Sequence, residues 1–446
     1  MACNLREILT GIVDVEKDIS YSDIGSIPRA IKDAGKKTIL FNVQPQGSDG
    51  RSGNFRVISN VCARREILDR KFGINMMSLL SAIDEHPGKG GDLQCDPKTC
   101  IKEISEIRNM VSVKPNLNLL PLTRYYPLDG GKYIASAVVI ANDPEYGRNM
   151  SFHRMMVIDE NHLAIRLVPR HTYTYYKRSI ERGEDLKISV VIGLHPAFLI
   201  PAAVSVDIRR DEMEIAKSLI RGGESSENGE STENDKIQLI KSKNTGVEIP
   251  DAEIVLEGRI TQDMTDEGPF VDLTGTYDQV RAQPVVEITE MFYKKNFIYH
   301  SLLPGGVEHK ILMGMPREPV IYRRVNEVTQ VSDVRLTDGG CGWLHGVVSI
   351  NKRRDGDAKN AIMAAFTGHP SMKRIVIVDP DIDVGNPEQV EWAIACRFRA
   401  DRDLVVIPGA SGSTLDPASP DGTCAKVGID ATKPLKNKGE FDRARM

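Results

Sequence analysis

Three acids surround a Gly-Pro pair in the segment TDEGPFVD, residues 265–272, of this 446-residue chain. They are Asp266, Glu267 and Asp272, and an apolar Phe-Val pair comes directly before the last of them. A carboxyl group beside apolar side chains can be kept ready to take or give a proton. The same composition is also typical of a surface loop. The residues alone therefore leave two interpretations open, a loop or a catalytic pocket.

A second polar segment, RNMSFHR, lies between two stretches that read as strands. In an extended chain alternate side chains share a face, so Asn149, Ser151 and His153 would point one way and Arg154 the other. An Asn side-chain oxygen can bind a hard cation or accept a hydrogen bond from a ligand. A polar surface loop is the alternative interpretation of this segment.

Further candidate residues occur singly. Arg170 and His171 follow the end of a predicted strand in LVPRHTYTYY, and Glu212 and Glu214 lie on the helix predicted for RRDEMEIAKSLI. A single His is usually a hydrogen-bonded structural residue, and acids on an amphipathic helix usually form its solvent-exposed face. By themselves these residues do not define a metal site.

Several classes of enzyme are disfavoured because their motifs are missing from the sequence. It contains no P-loop, no GxGxxG after a strand, no HExxH and no GxSxG. Cys95 and Cys100 are separated by four residues without a neighbouring His or Cys, which does not match a known zinc spacing. Nothing in the sequence supports a hydrolase with a Ser or Cys nucleophile.

The composition is that of a globular protein without a nucleic-acid partner. Apolar residues make up 41% and charged residues 27%, and 58 basic against 62 acidic side chains give a net charge of -4. Seven cysteines without a CxxC pair, and early charge in the N-terminal segment, predict a reduced cytoplasmic protein. The uncharged segment from Ile188 to Val206 contains prolines, so it predicts a buried strand, a turn and a buried helix or loop. No membrane partner is expected.

The pattern of strands and helices predicts more than one domain. The first part, 1–105, combines predicted helices with a buried strand, and the next, 106–310, is rich in strands. Within the second part, Gly223–Asp235 is acidic and polar and is expected to be a solvated loop. Strand and helix alternate over 311–430, which predicts an α/β domain. The charged tail, 431–446, is expected to pack on another part of the chain or on a partner subunit.

Taken together, the motifs resemble the UbiD-like decarboxylases, which use prenylated flavin mononucleotide (prenylated FMN). The resemblance runs from LTRYYPLDGGKYIASAVVI to KVGIDATK. It depends on the order and spacing of RNMSFHR, HLAIRLVPRH, VEIPDAEIVLEG, DEGPFVDLTGTY and VDPDIDVGNPEQVEWAIACR. No single segment would suffice to identify the family.

The resemblance implies an acid–Arg–acid network above the flavin, formed here by Glu267, Arg154 and Asp272. In this network Arg154 would orient the substrate carboxylate, Glu267 would position Arg154, and Asp272 would donate the proton. Asp272 is shorter than the Glu of some relatives, and Val271 stands where Gly is common. The shorter Asp side chain changes the expected geometry of proton delivery.

The resemblance also implies a cofactor site with a divalent metal. Its ligands would be Asn149, His171 and Glu212, with Glu214 as the alternative to Glu212. The implied ion is Mn²⁺ or Mg²⁺, with K⁺ nearby, and it would tether the cofactor phosphate to the protein. The implied cofactor contacts are Asn149, Ser151, Phe152, Arg154, Arg170, His171 and Glu212.

The implied activity is the non-oxidative decarboxylation of a small α,β-unsaturated acid. Because EGPFVDLTGTYD is most similar to archaeal members, the expected reaction converts trans-anhydromevalonate 5-phosphate to isopentenyl phosphate and CO₂ in an archaeal mevalonate pathway. An aromatic acid of the 4-hydroxybenzoate type is the alternative substrate. A non-catalytic flavin- or metal-binding subunit of a larger complex is the alternative from another functional class.

The family architecture implied for the chain is α/β with a central β-rich domain. A flavin-binding split β-barrel would lie between an N-terminal α/β part and a C-terminal α/β domain. The resemblance further implies a homo-oligomer, either a dimer or a hexamer. A separate flavin prenyltransferase would supply the cofactor.

Overall fold

The computed structural model describes residues 4–44, 55–85, 101–105, 110–222 and 237–444. The chain divides into two units, 1–309 and 310–446, and the finer division into four parts stays a prediction. The acidic loop predicted at 223–235 and the Cys95 and Cys100 pair lie outside the described residues. Among the described cysteines no disulfide forms; these are Cys62, Cys341, Cys396 and Cys424.

The first sheet of the N-terminal unit has the strand order β1-β2-β3-β18. Its strands are β1 (Val15–Ser20), β2 (Ile39–Gln44), β3 (Phe55–Ser59) and β18 (Ile298–His300). The helices of this region are α1 (Leu5–Ile12), α2 (Ile27–Ala34), α3 (Arg65–Phe72) and α4 (Met76–Asp84). Asn4 and Asn75 cap α1 and α4 by accepting a hydrogen bond from a backbone N–H in the first turn. Both helices and the strand β2 were predicted from the sequence and are confirmed.

The largest sheet among the described residues follows the order β6-β9-β10-β17-β14-β11-β7-β8, with β5 paired to β17. Its strands are β5 (Val111–Val113), β6 (Tyr133–Ile134), β7 (Val138–Asp143), β8 (Gly147–Phe152), β9 (Met155–Val157), β10 (His162–Ile165), β11 (Leu186–Ile192), β14 (Ile254–Glu267) and β17 (Arg281–Tyr293). A short pair, β15 (Phe270–Val271) and β16 (Tyr277–Asp278), lies in the connection between β14 and β17. This connection contains the Gly268–Pro269 pair.

Smaller elements complete the N-terminal unit. The strands β4 (Ile101–Ser105), β12 (Ile237–Lys241) and β13 (Glu248–Pro250) form a separate sheet with the order β13-β12-β4. The helices are α5 (His171–Glu181), α6 (Pro196–Leu199) and α7 (Glu212–Gly222). The boundary between the two units falls within α8 (Val307–Gly314).

The interior strands of the large sheet explain why this sequence forms a β-rich region. The residues Val138 to Ala141 of β7 and Ile188 to Ile192 of β11 are all buried. Because successive residues of a strand point to opposite faces, both faces of the sheet are covered at these strands. The apolar run that follows β11 forms α6 and a 3₁₀ turn at Pro201–Ala203, as predicted. None of the helices in the described ranges combines the length and hydropathy needed to span a bilayer.

The C-terminal unit combines strands and helices. Its sheet has the order β19-β20-β21-β23-β22, formed by β19 (Val331–Leu336), β20 (His345–Ile350), β21 (Arg374–Val378), β22 (Leu404–Ser411) and β23 (Thr423–Asp430). Its helices are α9 (Glu318–Asn326), α10 (Asp357–Gly368), α11 (Pro387–Arg397) and α12 (Ala400–Asp403). Asn386 caps α11 by accepting hydrogen bonds from the N–H groups of Glu388 and Gln389. The tail contacts this unit, since Arg397 Nη2 donates to Phe441 O at 3.2 Å.

Candidate active site

The strand β8 and the residues that follow it carry much of the site. Asn149 and Ser151 lie on β8, opposite residues of β7, and Arg154 comes two residues after the strand ends. Arg166 N donates a hydrogen bond to Arg154 O at 3.1 Å, which ties this segment to the end of β10. The pairing of β8 with β7 before Arg154 and the hydrogen bond from Arg166 therefore fix the position of the Arg154 main chain.

The guanidinium of Arg154 contacts three carboxylates. Its Nε and Nη2 atoms donate to the two oxygens of Glu267 at 2.9 and 3.0 Å. Nη1 donates to Asp272 Oδ2 at 2.7 Å, and Nη2 also donates to Asp278 Oδ2 at 2.9 Å. The Glu267 side chain is fully buried, whereas Asp272 is 19% exposed. The structure thus brings the three predicted residues together and leaves Asp272 the most accessible of the acids.

A tight turn places Glu267 and Asp272 around the same guanidinium. Glu267 ends β14, and Gly268 follows with a φ of 104°, a conformation that favours glycine. Gly130 N donates to Pro269 O at 2.7 Å, and a Cβ atom added to Gly130 would overlap the Gly268 carbonyl. Two glycines are therefore required for the main chain to approach this closely.

Aromatic rings cover the buried side of the network. The Phe270 ring centroid lies 4.7 Å from Arg154 Cζ and 4.4 Å from the Tyr133 ring centroid. Tyr133 Oη donates a hydrogen bond to Glu267 Oε1 at 3.1 Å. Burial raises the pKa of Tyr133, and the negative charge of Glu267 raises it further. Tyr133 therefore keeps its proton and acts as a donor to Glu267.

The charges in this network are mutually stabilising. Burial by itself disfavours the charged guanidinium, but hydrogen bonding to Glu267 and the charges of the acids outweigh it and raise the pKa of Arg154. Burial acts against the charged form of Asp278 in the same way, but hydrogen bonds from Arg281 and Arg154 lower its pKa. Arg154 and Asp278 are therefore ionised at neutral pH.

The three predicted metal ligands also lie together. His171, the first residue of α5, has Nδ1 at 3.2 Å from Asn149 Oδ1 and at 3.8 Å from Glu212 Oε1. The Glu212 side chain is buried, and its Oε2 accepts a hydrogen bond from Met150 N at 3.0 Å. Burial raises the pKa of Glu212, although hydrogen bonds, first that with His171, partly oppose the shift.

A polar network sets the orientation of the Asn149 amide. Its Nδ2 donates to Ser151 Oγ at 2.9 Å and to Thr172 Oγ1 at 3.0 Å, so that Oδ1 faces His171. His153 Nε2 lies 3.0 Å from Thr172 Oγ1, and its Nδ1 lies 3.0 Å from the Arg166 carbonyl oxygen. Burial lowers the pKa of His153 to about 4, so the ring is neutral and donates from Nδ1. The Asn149 oxygen is therefore available as a ligand atom.

Comparisons with proteins of known name and structure identify the family of this chain. A family model described as UbiD, 3-octaprenyl-4-hydroxybenzoate carboxy-lyase Rift-related domain, matches residues 102–307, and the C-terminal domain model of that family matches 310–431. The anhydromevalonate phosphate decarboxylase of Methanothermobacter thermautotrophicus is 44% identical, with 88% of this chain and 89% of that protein aligned. The protein of the same name from Methanocaldococcus jannaschii is 43% identical, with 88% and 90% aligned. The chain belongs to the UbiD family.

The fold is that of UbiD-class enzymes as well. The structure of HmfF from Pelotomaculum thermopropionicum in complex with FMN matches with a TM-score of 0.86 and 32% identity, over 99% of this chain and 97% of HmfF. An evolved dimeric form of HmfF in complex with prFMN matches with a TM-score of 0.82. As a member of the UbiD family, the chain is a decarboxylase with a mixed α/β fold.

The donor set fits the divalent metal that the UbiD resemblance implies. In the described residues, no three of His, Cys, Asp and Glu cluster as metal ligands. The cluster seen here instead combines one imidazole, one carboxylate and the Asn149 amide oxygen. Such an oxygen-rich set suits Mn²⁺ or Mg²⁺. Within the described ranges, no Lys or Arg forms an ion pair with Glu212, so a cation placed there would compensate its charge.

The structure separates the two acids between which the sequence could not choose. Glu214 accepts a hydrogen bond from Lys217 Nζ at 2.7 Å and lies 3.7 Å from Arg148 Nη2. Glu212 instead faces His171. The geometry therefore favours Glu212 as the ligand.

Other predicted cofactor contacts lie beside the same cluster. Ser151 takes part in the network of Asn149, and Phe152 ends β8 with a partly exposed side chain. Arg170 precedes α5, and its Nη1 donates to Ser205 Oγ at 3.3 Å. Burial lowers the pKa of Arg170.

Asp278 was not singled out from the sequence, although it contacts Arg154 directly. It lies on β16, opposite Phe270 of β15. The turn residues Thr274 and Gly275 between two short runs indicate a hairpin, and that signal could have placed Asp278 beside the network. Thr172 was also missed, because its role depends on the helix that begins at His171.

Proposed function

We propose that this chain decarboxylates trans-anhydromevalonate 5-phosphate to isopentenyl phosphate and CO₂, using prenylated FMN. The observation that carries the proposal is Arg154, held by three carboxylates with Asp272 partly exposed beside it. A cation is thus presented to a substrate carboxylate next to a group that can transfer a proton. The names of the archaeal relatives supply the substrate.

Each residue of the network has a role in the proposed reaction. Arg154 binds the substrate carboxylate through a charge-assisted hydrogen bond. Glu267 holds Arg154 in place and is itself held by the Tyr133 hydroxyl, and the Phe270 ring excludes water from the buried side. When bound, the cofactor accepts the electron pair released as CO₂ leaves. Asp272, whose side chain is in contact with solvent, takes up a proton there and delivers it to the substrate carbon that carried the carboxylate.

The proposed cofactor site lies at the cluster of Asn149, His171 and Glu212. These residues would hold Mn²⁺ or Mg²⁺, with K⁺ nearby, and the metal would bind the cofactor phosphate. The remaining proposed cofactor contacts are Ser151, Phe152, Arg154 and Arg170. A flavin prenyltransferase would supply the modified flavin.

The proposal extends to architecture and assembly. We expect the large sheet to be the split barrel that holds the flavin, and we expect the chain to form a dimer or a hexamer. The cysteine usage favours the cytoplasm as the compartment. Size-exclusion chromatography coupled to light scattering would measure the oligomeric state.

The test compares two acids on the reconstituted enzyme. The chain, loaded with prenylated FMN and Mn²⁺, is incubated with trans-anhydromevalonate 5-phosphate or with 4-hydroxybenzoate. We expect isopentenyl phosphate and CO₂ in equal amounts from the first acid and no product from the second. Turnover of 4-hydroxybenzoate alone would support the aromatic alternative. Tight flavin binding without turnover of either acid would support a non-catalytic subunit.

A further inference from the structure

Arg166 differs from Arg154 and Arg281 in its charge partners. It follows β10. Its N–H donates a hydrogen bond to the Arg154 carbonyl oxygen, and its own carbonyl oxygen accepts one from His153 Nδ1. Arg154 contacts three carboxylates, and Arg281 Nη1 donates to Asp278. In the part of the chain that the structure describes, no carboxylate forms an ion pair with Arg166. A partly buried guanidinium is therefore left for an external anion.

The surroundings of Arg166 are positively charged on balance. Burial lowers its pKa, and the charges of Arg281 and Arg154 lower it further, while Asp278 and Glu267 offset part of the effect. The two other arginines already share one carboxylate, because Asp278 accepts hydrogen bonds from both. An anion beside Arg166 would relieve the repulsion among the three guanidinium groups.

The formal charges of the site also indicate that an anion would be favourable beside Arg166. Arg154 and Arg281 donate hydrogen bonds to the carboxylates of Glu267, Asp272 and Asp278, so these five groups carry a formal charge of -1 and Arg166 brings the total to zero. The proposed substrate brings a carboxylate and a phosphate, and a phosphate monoester carries close to two negative charges at neutral pH. Without Arg166 this group of side chains would be net negative and would repel such a substrate.

We propose that Arg166 binds the phosphate group of the substrate, with Arg281 beside it, while Arg154 binds the carboxylate at the other end. This inference rests on the proposed function. A guanidinium offers paired N–H donors that match two phosphate oxygens, which makes arginine well suited to this role. Arg166 is thus a specificity-determining residue that selects a phosphorylated acid over an unphosphorylated one.

The cofactor also carries a phosphate group, so the experiment must distinguish binding of the substrate phosphate from binding of the cofactor phosphate. The proposed metal cluster would already bind the cofactor phosphate through Asn149, His171 and Glu212. Arg166 instead lies across from Arg154, since its N–H donates a hydrogen bond to the Arg154 carbonyl oxygen at 3.1 Å. The substrate is therefore the phosphate source to which we assign Arg166.

The experiment compares Arg166→Gln with the wild-type holoenzyme on trans-anhydromevalonate 5-phosphate and on the same acid without phosphate. We expect KM for the phosphorylated acid to rise about 10- to 100-fold, as expected of a lost hydrogen bond to a charged group. KM for the unphosphorylated acid should change less than about threefold. Arg166→Lys should restore part of the loss. Calorimetric titration with isopentenyl phosphate should show the same weakening without turnover.

Arg259→Gln is the matched control, because it removes one arginine from the same sheet. Arg259 is 49% exposed and paired with Glu287 at 2.7 Å, so both KM values should stay at the wild-type level. Equal losses of Arg166→Gln on both acids, or unchanged binding of isopentenyl phosphate, would overturn the inference. Loss of bound flavin in Arg166→Gln would assign the arginine to the cofactor phosphate instead. If the wild type does not turn over the phosphorylated acid, the proposed function itself fails.

Discussion

The two ends of the candidate site contrast in how their charges are balanced. At one end Arg154 forms ion pairs with Glu267, Asp272 and Asp278, so these four charges are paired with one another. At the other end Glu212 is buried against His171 and the Asn149 amide, and no Lys or Arg of the described chain forms an ion pair with it.

This difference indicates which parts of the site are complete without a ligand. A buried guanidinium with several hydrogen-bonded carboxylates is held in place by the protein itself, so the Arg154 end is preorganised for a substrate. A buried carboxylate without a cation is costly, so the Glu212 end is expected to gain stability from a bound metal. Changes at the first end should affect catalysis, and changes at the second should affect cofactor loading.

The sharpest test of the first end is Asp272→Asn. The amide keeps the size of the side chain but cannot donate the carboxyl proton, so we expect kcat to fall about 10²- to 10⁴-fold. Flavin loading and the melting temperature should change little, because Asp272 is the most exposed of the acids. Steady-state kinetics, flavin absorbance and thermal unfolding would measure the three quantities.

Asp266→Asn is the control for this variant, since Asp266 lies on the same β-hairpin but is exposed to solvent. It should retain wild-type kcat. A wild-type rate in Asp272→Asn would exclude Asp272 as the proton donor.

Sequence reasoning identified the residues whose function is tied to a motif. Arg154, Glu267 and Asp272 occur in segments of fixed spacing, and the structure places them in contact. The sequence alone does not distinguish Glu212 from Glu214 as the metal ligand, because both lie in the first turn of one helix. Two residues on a helix point in different directions, and that choice depends on what packs around α7.

Other elements could not be predicted because tertiary contacts decide them. The helix α5 has the sequence HTYTYYKRSIE, which is rich in Thr and Tyr residues typical of strands. Burial of Tyr175 and Tyr176 against the core stabilises it as a helix nevertheless. Likewise β8 consists largely of polar residues and is a strand because it pairs with β7 along its whole length. Asp278 joins the network through a hairpin that is defined by only short strands.

A pair of variants on α7 tests the second end. Glu212→Gln removes the negative charge facing His171, so we expect metal affinity to fall more than about tenfold, and flavin loading with it. Glu214→Gln is the matched control two residues away, because Glu214 interacts with Lys217 and Arg148 instead. Metal content by mass spectrometry and flavin absorbance would be measured after dialysis. If Glu214→Gln lost more metal than Glu212→Gln, Glu214 would be the metal ligand instead.

The smallest expected effect concerns Asp278 and the pH dependence of stability. The pKa of Asp278 is lower in the folded protein than its ordinary value, mainly because hydrogen bonds from Arg281 and Arg154 outweigh burial. A group with a lowered folded pKa stabilises the protein above its unfolded pKa, and that contribution is lost as pH falls through the folded pKa. At neutral pH, Asp278→Asn should therefore reduce the free energy of unfolding by about 1.5 kcal/mol, as for a hydrogen bond to a charged group.

The pH curve separates this charge effect from a general packing defect. Between pH 7 and pH 5 the difference in unfolding free energy between wild type and Asp278→Asn should stay constant, and it should shrink as pH falls below the ordinary Asp pKa. Denaturant unfolding at each pH would give the curve, with Asp263→Asn, an exposed position on β14, as the control that should parallel wild type. A difference that stays unchanged down to pH 3 would mean that Asp278 contributes through packing. In that case Glu267 and Asp272 would balance the charge of Arg154, and Asp278 would interact mainly with Arg281.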